Sequence, residues 1–140
     1  MKSLFALRII SALPQLRQFH LDIHDCPSVN YQGLMYIVRA LDSMPYLTGI
    51  SFVLSLYSDI TGSMLAEFGI TLGRISFLEH LNLIINFKDV LTKDVKTFFS
   101  EGLTQLPNLT KMNLGFGTCS VINGEMIEII GDGLVKMRHL

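Results

Sequence analysis

Leu78-Glu79-His80-Leu81-Asn82-Leu83 decides how this chain is read, because three other stretches repeat it at a fixed distance. Leu16-Arg17-Gln18-Phe19-His20-Leu21 and Leu47-Thr48-Gly49-Ile50-Ser51-Phe52 precede it, and Leu109-Thr110-Lys111-Met112-Asn113-Leu114 follows. Leu16, Leu47, Leu78, Leu109 and Leu140 stand 31 residues apart, with apolar residues returning at the first, fourth and sixth places of each copy. A constant period of this length marks stacked supersecondary units.

Within each unit the apolar spacing changes. Phe19, Leu21 and Ile23 alternate with Gln18, His20 and Asp22, which predicts a strand with one apolar and one polar face. Ile50, Phe52 and Leu54, then Leu81, Leu83 and Ile85, then Met112, Leu114 and Phe116 repeat the apolar row. Asn30, Thr61, Thr92 and Asn123 share the next slot, and all are good N-caps for a following helix. Val29, Ile60, Leu91 and Ile122 precede them, placed to staple against Leu34, Leu65 and Ile127, with Lys96 breaking the pattern once. Ile37, Phe68, Phe99 and Ile130, then Leu41, Leu72, Leu103 and Leu134, then Met44, Ile75, Leu106 and Met137 continue at helical steps, predicting one buried stripe per helix. Pro14, Pro45 and Pro107 stop the helices, with Ser76 in the third slot. Gly69, Gly102, Gly131 and Gly133 weaken helix propensity and are expected to permit close approach between helices.

Residues 1–13 read as a helix with no strand before it, covering the first strand with Phe5, Ala6, Ile9, Ile10 and Leu13. The opening has the look of a secretory leader, but Arg8 interrupts its apolar run, and Ile10 and Leu13 fall in phase with Leu41 and Met44. Every strand is followed by a helix that returns the chain to the same end, so the strands are expected to pair in parallel. No linker or charge block breaks the register. The expectation is a single array over residues 1–140, with repeats starting at 16, 47, 78 and 109 and a fifth starting at 140.

Composition narrows the function. The chain is 49% hydrophobic and 16% charged, ample for a core, and 11 basic against 12 acidic residues leave no general field for nucleic acid or an anionic membrane. Mean hydropathy is +0.43, yet runs such as Leu81 to Phe87 fall far short of the roughly 20 residues a spanning helix needs. Cys26 and Cys119 lie three repeat lengths apart, which at ~4.8 Å per strand is roughly 14 Å, twice the reach of a disulfide. They are read as separate thiols, which suits an intracellular, cytoplasmic setting. Asn108-Leu109-Thr110 matches a glycosylation acceptor, a pattern too short to weigh.

Leu-x-x-Leu-x-Leu followed by a helix, in four copies, resembles a leucine-rich repeat, and a full helix in every unit makes it similar to the ribonuclease-inhibitor-like type. The resemblance covers nearly the whole chain. It departs at the slot eight residues after the first leucine, where the family carries Asn or Cys and this chain has His24, Ser55, Asn86 and Gly117. What it implies is an α/β solenoid, a horseshoe arc of about four 31-residue strand–helix repeats, with a parallel sheet on the concave face and helices on the convex face. It also implies a non-enzymatic module that binds another protein through the concave face. By alternation that face carries Gln18, His20 and Asp22, then Gly49, Ser51 and Val53, then His80, Asn82 and Ile84, then Lys111, Asn113 and Gly115. Val53 and Ile84 form an apolar centre with polar surroundings, the composition of a contact patch.

Two other functions are weighed. His20, Asp22, His24 and His80 offer a metal-dependent enzyme its donors, but a flat strand spaces such side chains ~7 Å apart while metal bonds are near 2 Å. His24 is moreover expected to turn inward at the strand end. There is no CxxC pair, nucleophile elbow or phosphate loop, so no catalytic, metal or cofactor site is expected. A structural spacer within a larger protein is the nearer alternative. The polar face spans only ~440 Å², against about 800 Å² per partner in a standard interface. The chain also opens in a helix without a polar cap and stops at the first residue of a fifth repeat. The expectation is a fragment of a longer array, whose bare strand edges would otherwise pair with another copy.

Overall fold

The computed structural model describes residues 8, 12–24, 30–55, 61–86, 92–116 and 123–140. Four strands alternate with helical segments: β1 (Gln18–His24), α1 (Tyr31–Asp42), β2 (Gly49–Ser55), α2 (Gly62–Leu72), β3 (His80–Ile85), α3 (Thr92–Thr97), β4 (Lys111–Phe116) and α4 (Gly124–Lys136). A π-helical turn (Phe98–Gly102) and a 3-10 turn (Leu103–Gln105) extend α3. The strands form one parallel sheet in the order β1-β2-β3-β4. Each ladder joins residues 31 positions apart, as in Gln18 with Gly49, Gly49 with His80 and His80 with Lys111. This is an α/β architecture of parallel strands and helices consistent with a leucine-rich-repeat-like fold. No helix among the described residues is long and apolar enough to cross a membrane.

One side of the sheet packs against the helices. Ile50, Phe52, Leu54, Leu81, Leu83 and Ile85 are fully buried there, whereas Phe19, Leu21, Met112 and Leu114 in the outer strands are half-buried. Phe19, Phe52 and Phe68 stack edge to face in a line from β1 through β2 to α2, with centroids 5.8 and 5.7 Å apart. Leu47, Leu78 and Leu109 are buried at the strand entrances.

The turns before the strands are stitched to the preceding coil through single carbonyls. Arg17 O accepts from the N–H groups of both Thr48 and Gly49, Thr48 O from Glu79 and His80, and Glu79 O from Thr110 and Lys111. The Thr48 and Thr110 hydroxyls add a third donor to the first and last of these carbonyls. Polar backbone at each turn is thus satisfied by the neighbouring coil.

Asn30 and Asn123 cap their helices, accepting from Gly33 N at 2.9 Å and Met126 N at 3.0 Å. The other two expected caps differ. Thr61 sits at the N-cap of α2, but its hydroxyl pairs with the Ser63 hydroxyl instead of a backbone N–H, and Thr92 is already the first residue of α3. Stapling residues Val29, Ile60, Leu91 and Ile122, both cysteines, and most of the 1–13 segment lie outside the described residues.

The buried stripe follows expectation in α1 and α2 through Leu34, Leu41, Met44, Leu65, Phe68, Leu72 and Ile75, except that Ile37 is only half-buried and Val38 beside it is fully buried. In α3 it slips by one: Val95 is buried and Lys96 exposed. The π turn that follows, with Leu103 N bonded to Phe98 O, absorbs an extra residue and brings Phe99, Leu103 and Leu106 back into the core. In α4 the stripe is Met126, Gly133 and Met137, while Ile127 and Leu134, expected inside, are exposed. The two positions are occupied in α1 and α2 by leucines that pack against a following coil, and α4 is the last of the described helices.

The glycines act where coils touch. A Cβ on Gly69 would overlap the Phe98 ring, one on Gly102 would overlap the Gly69 backbone, and one on Gly133 would overlap Phe99. Gly131 differs, with nothing among the described residues within 4 Å. On the outside of α1 and α2, Glu67 accepts from the Tyr31 hydroxyl at 2.7 Å and pairs with Arg39 at 3.1 Å. Burial first, then the hydrogen bond and charge of Glu67, push the Tyr31 hydroxyl's pKa well above its ordinary value.

Candidate binding face

The alternation that buries Phe52 and Leu83 turns Ser51, Val53, Asn82 and Ile84 to the helix-free side. Because the ladders keep one register throughout, residues there line up in rows across the sheet. The first row is Gln18, Gly49, His80 and Lys111; the second His20, Ser51, Asn82 and Asn113; the third Asp22, Val53, Ile84 and Gly115. All twelve residues expected on that face are therefore brought onto one surface.

The second row is a hydrogen-bonded ladder. Asn113 Nδ2 donates to Asn82 Oδ1 at 2.8 Å, and Asn82 Nδ2 donates to the Ser51 hydroxyl at 2.8 Å. Amides stacked in register at ~4.8 Å strand spacing suit such a chain, because each offers a donor and an acceptor to its neighbours. Sequence reasoning assigned these three side chains to a partner and missed the bonds between them. The signal was available: hydrogen-bonding side chains occupy this slot in four consecutive repeats, His20, Ser51, Asn82 and Asn113.

The first and third rows flank the ladder with different chemistry. In the third, Val53 and Ile84 lie side by side and half-buried, with the Ile84 side chain leaning over Gly115. In the first, Gln18 lies over Gly49, its amide 3.4 Å from the Thr48 hydroxyl, while the Lys111 side chain is exposed. An open groove of about 410 Å³ runs over the first two rows, lined by His20, Ser51, His80, Asn82, Lys111 and Asn113 among others. The apolar pair is outside this groove.

At the corner of the third row, His24 does not turn inward. It stays exposed and its Nε2 meets Asp22 Oδ1 at 2.6 Å, because residues two apart on a strand project to the same side and the long imidazole can lean along it. The ~7 Å separation expected along a flat strand is closed for this pair. His20 and His80 stand in different rows, and among the described residues no three His, Cys, Asp or Glu side chains gather in a way that could hold a metal ion.

A scan against protein-family models finds no match, and a search of the curated proteins finds none either. Among solved structures the chain is similar to leiomodin-1 actin-binding site 2 (ABS2), with a TM-score of 0.68 and 14% sequence identity, over 97% of this chain and 74% of that one. At that identity the likeness shows the fold. It covers nearly every coil described above.

Proposed function

We propose that this chain is a non-enzymatic protein-interaction module, a ribonuclease-inhibitor-like leucine-rich-repeat solenoid that curves with its sheet on the concave side and takes a partner protein there. The observation that carries the reading is the apolar pair Val53–Ile84, held half-buried on a helix-free face beside a polar row whose side chains are already fixed. An apolar centre within polar surroundings is where binding energy concentrates, and side chains fixed beforehand lose little entropy on binding. Gln18, His20, Asp22, Ser51, His80, Asn82, Lys111 and Asn113 supply the surrounding polar contacts. With only ~440 Å² on these four strands, the interface falls at the small end of the range unless neighbouring surface joins it.

Actin is the first partner to try, since the similar solved structure is an actin-binding site. Replacing Val53 by Lys and Ile84 by Glu is expected to abolish partner binding while lowering the unfolding midpoint only modestly, because both side chains sit half-buried on the open face and the row Asp22, position 53, position 84 then alternates in charge. Cosedimentation or a fluorescence titration reads the result. Binding that survives the double substitution removes this face from the account. A metal-dependent activity of His20, Asp22 and His80 has no comparable support.

A further inference from the structure

Helix α4 repeats a surface that α2 uses to receive the next coil. In α2, Leu65, Gly69 and Leu72 share one side at helical spacing, and the chain of the following coil lies against it: a Cβ on Gly69 would stand 2.5 Å from the Phe98 ring and 3.0 Å from the Phe98 carbonyl oxygen. Sixty-two positions on, two repeat lengths, α4 carries Ile127, Gly131 and Leu134 in the same places. Here nothing among the described residues lies within 4 Å of a Gly131 Cβ. Ile127 is 60% and Leu134 38% exposed, where Leu65 is 1% and Leu72 0%. Beside this helix, β4 ends the sheet order, and its inward residues Met112 and Leu114 are half-buried where Leu81 and Leu83 are fully buried.

We propose that the α4 face carrying Ile127, Gly131 and Leu134 receives one further strand–helix coil of the array's own pattern, its strand pairing in parallel along the outer edge of β4. The occupant is identified by what already sits on the equivalent surface of α2: a coil whose strand continues the 31-residue register and whose helix brings an apolar side against the glycine. Val135 stands where α2 has Gly73, which contacts the Gly102 backbone. Asp42 and Thr104 fill that slot in the coils that precede β2 and β4, so a side chain there is compatible with stacking. This surface is separate from the helix-free face, and neither proposal depends on the other.

The test joins a second copy of residues 79–106 directly after Leu140, which stands 62 positions after Leu78 and so carries the pattern on in register, in a chain that also carries Val135→Gly so that the appended copy of Gly102 meets the glycine it meets at Gly73. The extended chain is expected to unfold in one transition, with a higher urea midpoint and a steeper slope, since more surface is exposed on unfolding. Hydrogen exchange at the outward amides of β4 should slow at least tenfold. Gly131→Ala should reverse its effect between the two chains. In the original it gains helix propensity in open space, lowering the unfolded fraction about fivefold; in the extended chain it raises that fraction, because the incoming helix occupies the space. Ile127→Ala, a second variant, should be near neutral in the original and lower the midpoint in the extended chain. An appended segment that exchanges as an unfolded tail, with β4 exchange unchanged, overturns the proposal. So does an original chain that sediments as a dimer losing its association on Ile127→Asp, which would make the occupant a second copy.

Discussion

Leu83 and Leu114 pair with each other in adjacent strands and hold the same place in consecutive repeats, yet Leu83 is fully buried and Leu114 only half so. The same contrast separates Leu65 in α2 from Ile127 in α4. Residue type and slot are alike in both comparisons, so the difference comes from the neighbours. In a stacked array each coil is stabilised by the two beside it, and an interior coil has both.

The largest effect that sharpens this contrast is expected at Phe52, enclosed between Phe19 and Phe68. Phe52→Ala should cost about 4 kcal/mol in urea unfolding, and Phe19→Ala, in the half-buried outer strand, less than half as much. Equal losses would break the comparison by showing the ends to be as tightly packed as the middle. Next comes the amide ladder. Asn82→Ala removes both of its bonds and should cost about 1–2 kcal/mol, whereas Asn113→Ala removes only the bond at the exposed end and should cost about half that. A double-mutant cycle between the two measures their coupling directly. The smallest effect concerns the caps: Asn30→Ala should cost about 1 kcal/mol, while Thr61→Ala, whose hydroxyl bonds no helix N–H, should change the midpoint hardly at all.

Much of this is legible in the sequence alone. The spacing of Leu16, Leu47, Leu78 and Leu109 anticipates the offset at which the strands pair, and alternation along each strand assigns Phe52 and Leu83 to the core and Val53 and Ile84 to the other side. Those features depend on backbone periodicity, which a sequence displays openly. What escaped depends on neighbours or on rotamers. Ile127 and Leu134 carry the helical pattern of buried residues and are exposed on a helix that no described coil follows. Lys96 shows a break in the α3 stripe, but not that a π turn would restore it three residues later. The Ser51–Asn82–Asn113 chain required the side chains to turn toward one another instead of outward, and the same freedom let His24 reach Asp22. Alternation thus puts these residues on one side of the sheet, while the hydrogen bonds among them are not visible in the sequence.

That alternation places the apolar pair on the open side of the sheet, and a methyl NMR spectrum recorded with a soluble paramagnetic agent tests it most directly. The methyls of Val53 and Ile84 should broaden strongly, with a cross-peak between them, while those of Leu54, Leu83 and Ile85 stay sharp. A register slipped by one residue would exchange the two faces. Sharp Val53 and Ile84 signals beside broadened Leu83 and Ile85 signals would contradict the account.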